Sequence, residues 1–350
     1  MKLFVQLSCA IAIFAHSAAA QEPLTVTEPS SVQAPSEVLE DAAVDSANVT
    51  PVVDATTAEE WLVQLKKALT QTNFDAGVVT TKANKTESFK WIHGVVGGRE
   101  VESISSLIGG RVSTIRQGNT VSFIEPNKPV YSIASDSIRN FIPPVFYQNP
   151  KTLEDSYQFV MVSKNQVGGR AAQLIRIESI DNTTYNIWLW LDLETGLPLR
   201  MDYINLKGEV VERVLMTHLT VFSGPNEDVY KLAGLSLPQP AADSIASTED
   251  TNDWKMDWVP RGFELKKSDR HHVSISREVS DYYLYSDGLF EFSIYIQRPL
   301  ESYESPLLLR EGATAFVMLN AGGFDVTVVG AIPVETAYKI ASNIKRNSAQ

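Results

Sequence analysis

The chain has 350 residues, 44% of them hydrophobic and 21% charged, with a formal net charge of −12. The acidity is local: residues 21–60 hold nine carboxylates and no Lys or Arg, residues 238–257 hold five against Lys255 alone, and the rest is close to neutral. A nucleic-acid-binding protein needs a concentrated basic face, and this distribution excludes one.

Met1-Lys2 followed by the apolar run Leu3–Phe14 and by Ala18-Ala19-Ala20 has the layout of a secretory signal, with cleavage expected between Ala20 and Gln21. The run is too short for a comfortable membrane span, and no later segment reaches that length. The only cysteine, Cys9, lies inside the signal without a lipobox around it. The mature chain is therefore expected to lack disulfides, a thiol nucleophile and a cysteine metal site. A cysteine-free exported chain of this size points to a bacterial periplasm.

Residues 21–56 combine Pro23, Pro29, Pro35 and Pro51 with acidic and small residues, the composition of a disordered arm. Order is expected from Thr57, where Thr57-Ala58-Glu59-Glu60 has capping-box spacing and Trp61, Leu65, Ala68 and Leu69 share one helical face. From Phe74 to Phe222 strands and turns dominate. Gly97-Gly98-Arg99, Gly109-Gly110-Arg111 and Gly168-Gly169-Arg170 predict tight hairpins, because adjacent glycines accept positive φ. A short helix is predicted around Asp136–Phe141.

The strand Tyr185–Asp192 is apolar on both faces, with Ile187, Leu189 and Leu191 opposite Trp188 and Trp190. Such a strand needs cover on both sides. One face can take the Trp61 helix. The other is either covered by short helices and loops or lines a concavity for an acyl chain or apolar side chain.

Residues 238–257 read as a linker between a first domain, 57–237, and a second, 258–350. The second domain predicts a hairpin through Ser286-Asp287-Gly288, with Phe290, Phe292, Ile294 and Ile296 buried and Tyr295 on the wet face. A closing helix starts at Pro333 and is expected to end in Lys345-Arg346.

Signs of catalysis are missing. His93 and His218 read as strand histidines and His271-His272 as an exposed loop pair. No paired-histidine spacing suggests zinc, and there is no Gly-x-Ser-x-Gly elbow or phosphate loop. The expectation is a non-enzyme without cofactor or metal.

The ordered motifs resemble the RseB/MucB family of periplasmic regulators of the sigma-E envelope-stress response. They are Gly118–Pro126, Trp190-Leu191-Asp192 through Asp202, Trp258–Phe263, Tyr285–Ser293, and Val326–Gly330 followed by Pro333. The resemblance covers residues 58–350, and the acidic arm departs from it. It implies an α+β protein of two domains. The first is a LolA/LolB-like curved, unclosed antiparallel half-barrel with helices on its concave face. The second is a smaller mixed domain with an antiparallel sheet and a C-terminal helix.

The implied function is negative regulation. The protein would bind the periplasmic domain of a membrane-spanning anti-sigma factor, shield it from the site-1 protease, and be released by lipopolysaccharide or lipoprotein acyl groups. A periplasmic lipoprotein or lipid carrier is the rival reading. The lipid-cavity candidates are Trp91, Phe123, Phe141, Trp188 and Trp190. The partner-surface candidates are Tyr283 and Tyr295, read otherwise as solvent-exposed sheet tyrosines. A monomer or a homo-oligomer fits the chain equally.

Overall fold

The computed structural model describes residues 55–110, 112–138, 141–240, 254–273, 278–299 and 306–347. The signal, its Ala20/Gln21 cleavage point and nearly all of the acidic arm lie outside the described residues, as does most of the linker.

Helix α1 (Ala58–Gln71) is closed at its start by a complete capping box. The Thr57 hydroxyl accepts from the Glu60 backbone N–H, and the Glu60 carboxylate accepts from the Thr57 N–H. Eleven antiparallel strands follow: β1 (Asn73–Lys82), β2 (Lys85–Val96), β3 (Arg99–Ser106), β4 (Ser113–Gln117), β5 (Thr120–Ile124), β6 (Tyr131–Ala134), β7 (Tyr157–Val167), β8 (Arg170–Ser179), β9 (Asn186–Asp192), β10 (Pro198–Ile204) and β11 (Val210–Phe222). They form one open sheet in the order β6-β5-β4-β3-β2-β1-β11-β10-β9-β8-β7. The Gly97-Gly98 and Gly168-Gly169 hairpins carry positive φ at both positions. At the third pair only Gly109 does, because that connection is the longer loop between Ser106 and Ser113.

The path from β6 to β7 joins the two edges of the sheet, and it carries two 3-10 turns, Pro144–Tyr147 and Pro150–Leu153. These lie slightly later than the helix predicted at Asp136–Phe141, since Pro144 and Pro150 can each open a helical turn but not continue one. A short helix, α2 (Glu227–Ala233), ends this half of the chain.

The second sheet contains β13 (Glu264–Val273), β14 (Glu278–Ser286), β15 (Glu291–Gln297), β16 (Leu307–Glu311), β17 (Thr314–Ala321) and β18 (Phe324–Gly330), in the order β13-β14-β15-β18-β17-β16. Helix α3 (Val334–Ser342) packs on it, and a two-stranded ribbon pairs β12 (Trp254–Met256) with β19 (Ile344–Arg346). Three expectations change here. Trp254–Met256 fell within the stretch read as linker, yet it is a strand held by the chain's end. Lys345-Arg346 sits in that ribbon, because the helix stops at Ser342 with Asn343 as its cap. His271 and His272 belong to β13, opposite Ser280 and Val279, and not to a loop.

The two halves meet in a continuous core. Phe290 lies among Tyr157, Tyr185 and Tyr203, with ring centroids 6.3, 6.3 and 6.0 Å away. The Tyr157 hydroxyl donates to Asp287, Thr336 donates to the Thr183 carbonyl at 2.6 Å, and the Val145 N–H donates to the Gly288 carbonyl at 3.3 Å.

Burial pushes the Asp287 carboxyl above its ordinary range, against hydrogen bonds from the Phe290 N–H, the Tyr157 hydroxyl and the Leu289 N–H. A raised acid stabilises the fold below the unfolded value, near 4, and loses that contribution as pH rises through the folded value. The uncharged Asp287→Asn variant should therefore gain stability relative to the native chain between pH 4 and pH 7, read by urea unfolding at both. A relative loss over that span contradicts the assignment.

Gly330 marks a second tight point. A Cβ there would collide with Phe292 Cβ and lie 2.5 Å from the Glu291 carbonyl oxygen. Gly330→Ala should cost about 1–3 kcal/mol or more, measured by the same urea transitions.

Candidate functional site

Cross-strand register fixes which side chains share a face of the large sheet. Phe74, Ala76 and Val78 of β1 lie opposite His93, Trp91 and Phe89 of β2, and Trp91 lies opposite Ile104 of β3. On the other side Val214, Met201, Leu189 and Ile175 stand in one row across β11, β10, β9 and β8. This is the inner face, and the chain covers it with its own residues. Helix α1 buries Trp61, Leu62, Leu65 and Leu69. The β6–β7 connection, here called the strap, buries Ile138, Phe141, Ile142, Val145, Phe146 and Leu153. Phe141 packs 5.3 Å from Trp91 and 5.9 Å from Phe89.

A buried polar cluster sits on the same face. Glu102 is fully buried and accepts from Trp91 Nε1 at 2.8 Å and from Arg116 Nε at 3.0 Å. The Tyr147 hydroxyl reaches it from the strap at 3.5 Å. Arg116 also pairs with Glu100 at 2.7 Å. Burial raises the Glu100 carboxyl, but the nearby His93 ring and the Arg116 guanidinium outweigh that and hold it below the usual range. Burial beside Glu102 keeps the Tyr147 phenol well above its ordinary value, so it stays a donor. His93 Nδ1 donates to the Thr72 carbonyl at 2.6 Å, leaving Nε2 without a hydrogen-bond partner, 3.7 Å from Glu100.

The five lipid-cavity candidates do not converge. Trp91 and Phe141 touch each other where the strap lies on the inner face. Phe123 is on the same face but at the sheet's edge, half-buried and stacked on Tyr131 at 5.0 Å. Trp188 and Trp190 point to the opposite, outer face, in register with Arg176, Asp202, Leu174 and Arg200. Arg200 lies over the Trp190 ring at 4.3 Å and Arg176 over Trp188 at 6.0 Å. Asp202 is fully buried between Arg200 and Arg213. Burial alone would raise its carboxyl, but the two guanidinium groups bring it below its ordinary value. The second face of β9 is thus closed by arginines, not by a lipid cavity.

In the second domain, Phe292, Ile294 and Ile296 face the covered side. Tyr283 pairs with Ile294 on that side and is 3% exposed, so it is a core residue and not a surface anchor. Tyr295 is on the other face, paired with Tyr282 at a ring distance of 5.1 Å. Leu284, Phe316, Met318 and Val329 share this face and are half-buried. Sequence alternation missed the strap, the Glu102–Arg116 pair and Tyr282. The one readable signal was the strap's apolar residues, interspersed with prolines 143, 144 and 150.

The chain matches the MucB/RseB N-terminal domain family over residues 57–241 and the MucB/RseB C-terminal domain family over 248–345. It is 30% identical to the sigma-E factor regulatory protein RseB of Salmonella typhimurium, across 83% of this chain and 91% of that one. It is 28% identical to the sigma factor AlgU regulatory protein MucB of Pseudomonas aeruginosa, across 85% and 94%. Among solved structures it is similar to the complex of P. aeruginosa MucA and MucB, with a TM-score of 0.68 and 26% identity, across 83% of this chain and 99% of that chain. For MucB crystallised alone the TM-score is 0.56, at 26% identity, across 83% and 98%.

Two substitution contrasts follow from the faces. Trp91→Ala opens the buried inner face and should cost about 3–5 kcal/mol, while Trp188→Ala on the outer face should cost clearly less, both read by urea unfolding. Arg116→Met leaves Glu102 buried without its cation and should cost about 3–5 kcal/mol. An Arg116→Met midpoint equal to that of the native chain would show that the pair is not desolvated.

Proposed function

The chain belongs to the MucB/RseB family, and on that premise we propose that it is a non-enzymatic negative regulator of sigma-E-type signalling. It is exported to the periplasm and binds the periplasmic domain of a membrane-spanning anti-sigma factor. It shields that domain from the site-1 protease, and lipopolysaccharide or lipoprotein acyl groups release it. No helix among the described residues is long and apolar enough to cross a membrane.

The observation that carries the reading is the double attachment of the strap. Its apolar side lies on the inner face through Phe141 and Trp91, and its Val145 N–H holds Gly288 of the second domain. An acyl chain entering the inner face has to displace the strap, and that loosens the bracket on the second domain. Lipid then releases the partner because it favours the displaced state. The same coupling makes partner binding weaken lipid binding. The higher TM-score to MucB in its complex with MucA than to MucB alone supports the arrangement described above as the partner-binding one. For the partner surface the open face with Tyr282 and Tyr295 is the best candidate, since aromatics are common anchors.

The test adds the mature chain to the anti-sigma periplasmic domain and its site-1 protease, with and without lipopolysaccharide or an acylated lipoprotein. Cleavage should stop at saturating chain and resume with lipid. Unchanged cleavage sinks the regulator reading, and a block insensitive to both lipids removes the switch. Tyr295→Ala should weaken anti-sigma binding about tenfold, roughly 1.4 kcal/mol, with its melting temperature kept.

A further inference from the structure

The end of the chain builds a groove that none of the roles above uses. It lies between β19 and the end of β17, with α3 as a side wall, and has a volume of about 670 Å³. That is within the range of ligand sites, roughly 300–1,000 Å³. Leu319, Ala321 and Ile344 give an apolar floor, with Leu319 and Ile344 buried. Trp254 is a fixed wall: its ring meets Phe324 edge-on at 4.8 Å and its Nε1 donates to Asp281 at 2.8 Å. Tyr338, 42% exposed, stands on the α3 side.

Among the described residues the charged ones that line the groove are Lys345 and Arg346, and no carboxylate does. Carboxylates on the surrounding elements are engaged: Asp257 with Lys345 and Lys255, Asp281 with Trp254, and Asp325, through one of its two oxygens, with the Asn320 amide. Arg346 lies over the Phe324 ring at 5.6 Å and has no ion pair among the described residues. The ribbon offers a backbone edge as well. Strand β19 pairs with β12 on one side, and no described strand pairs with its other side.

We infer that this groove is a docking site for an extended acidic peptide segment with one large apolar side chain. The apolar side chain fills the floor between Trp254, Leu319 and Ile344. A flanking carboxylate meets Arg346. The peptide backbone adds to the β19 edge, which favours a polypeptide over an acyl chain, since only a polypeptide can complete a ladder. The inference rests on the proposed function only for the source of the segment, a partner protein in the periplasm.

The test uses the full mature chain and a dye-labelled ten-residue peptide with a central Phe among Glu and Asp, followed by fluorescence anisotropy. The peptide should bind, and the version with Lys in place of the acids should not. Arg346→Glu should weaken binding at least tenfold, and Ala321→Trp, which fills the floor, should do the same; thermal melts of both variants check the fold. Failure of the acidic peptide to bind, binding of the Lys peptide as tight, or affinities within twofold of native for both variants overturns the site. Arg346-dependent binding of phosphatidylglycerol vesicles in place of the peptide assigns the groove to lipid and overturns it equally. If the peptide binds as expected while the anti-sigma periplasmic domain does not, the partner reading falls and the groove stands.

Discussion

The constraint on which the rest of this structure depends is an open sheet whose inner face is apolar from strand to strand and whose two edges do not meet. Such a face cannot stay in water, and with no second sheet to lie on it the chain has to supply its own cover. It does so with α1 and with the strap that runs from one edge of the sheet to the other. The cover decides the chemistry underneath. Once Phe141 and the 3-10 turns exclude water, the buried Glu102 side chain must find its hydrogen bonds within the protein, and Trp91, Arg116 and Tyr147 provide them. The polar cluster is a consequence of the apolar cover.

The same strap explains why two halves that read as separate domains share one core. Its far end leads into Tyr157, whose hydroxyl binds Asp287, and Phe290 from the following hairpin enters between three tyrosines of the first half. A displacement of the strap cannot remain local, because its backbone is hydrogen-bonded to the turn that carries Phe290. The proposed coupling between lipid and partner needs such an element, attached to both halves of the chain.

Local features were legible in the sequence. The capping box at Thr57, the Gly-Gly hairpins at 97–98 and 168–169, and the alternating strand Phe290–Ile296 all depend on neighbours within a few residues. What could not be read was anything set by register. Tyr282 and Tyr283 are adjacent, and only the pairing of Tyr282 with Tyr295 and of Tyr283 with Ile294 puts the first on the open face and the second in the core. The Glu102–Arg116 pair joins two strands, and its burial follows from the strap, which carries little periodicity. Lys345-Arg346 looked like a helix end because cations suit that position, but the helix had already stopped at Asn343.

The strand Tyr185–Asp192 shows most clearly how composition can mislead about function. Two apolar faces are a sound reason to expect two covers, and both exist. The choice of cover for the tryptophan face was underdetermined, since indole rings accept a guanidinium group as readily as an aliphatic chain. Arg200 and Arg176 reach over the rings from neighbouring strands while Asp202 beneath them absorbs the charge of Arg200 and Arg213. Solvent stays in contact with the outer edges of the arginines, so this face is finished as it stands. The inner face is different in kind. Its cover is an apolar strap of the same chain, and one hydrophobic occupant can replace another there at little cost in transfer free energy. That asymmetry is the physical reason why the proposed lipid site is placed beneath the strap and not on the tryptophans.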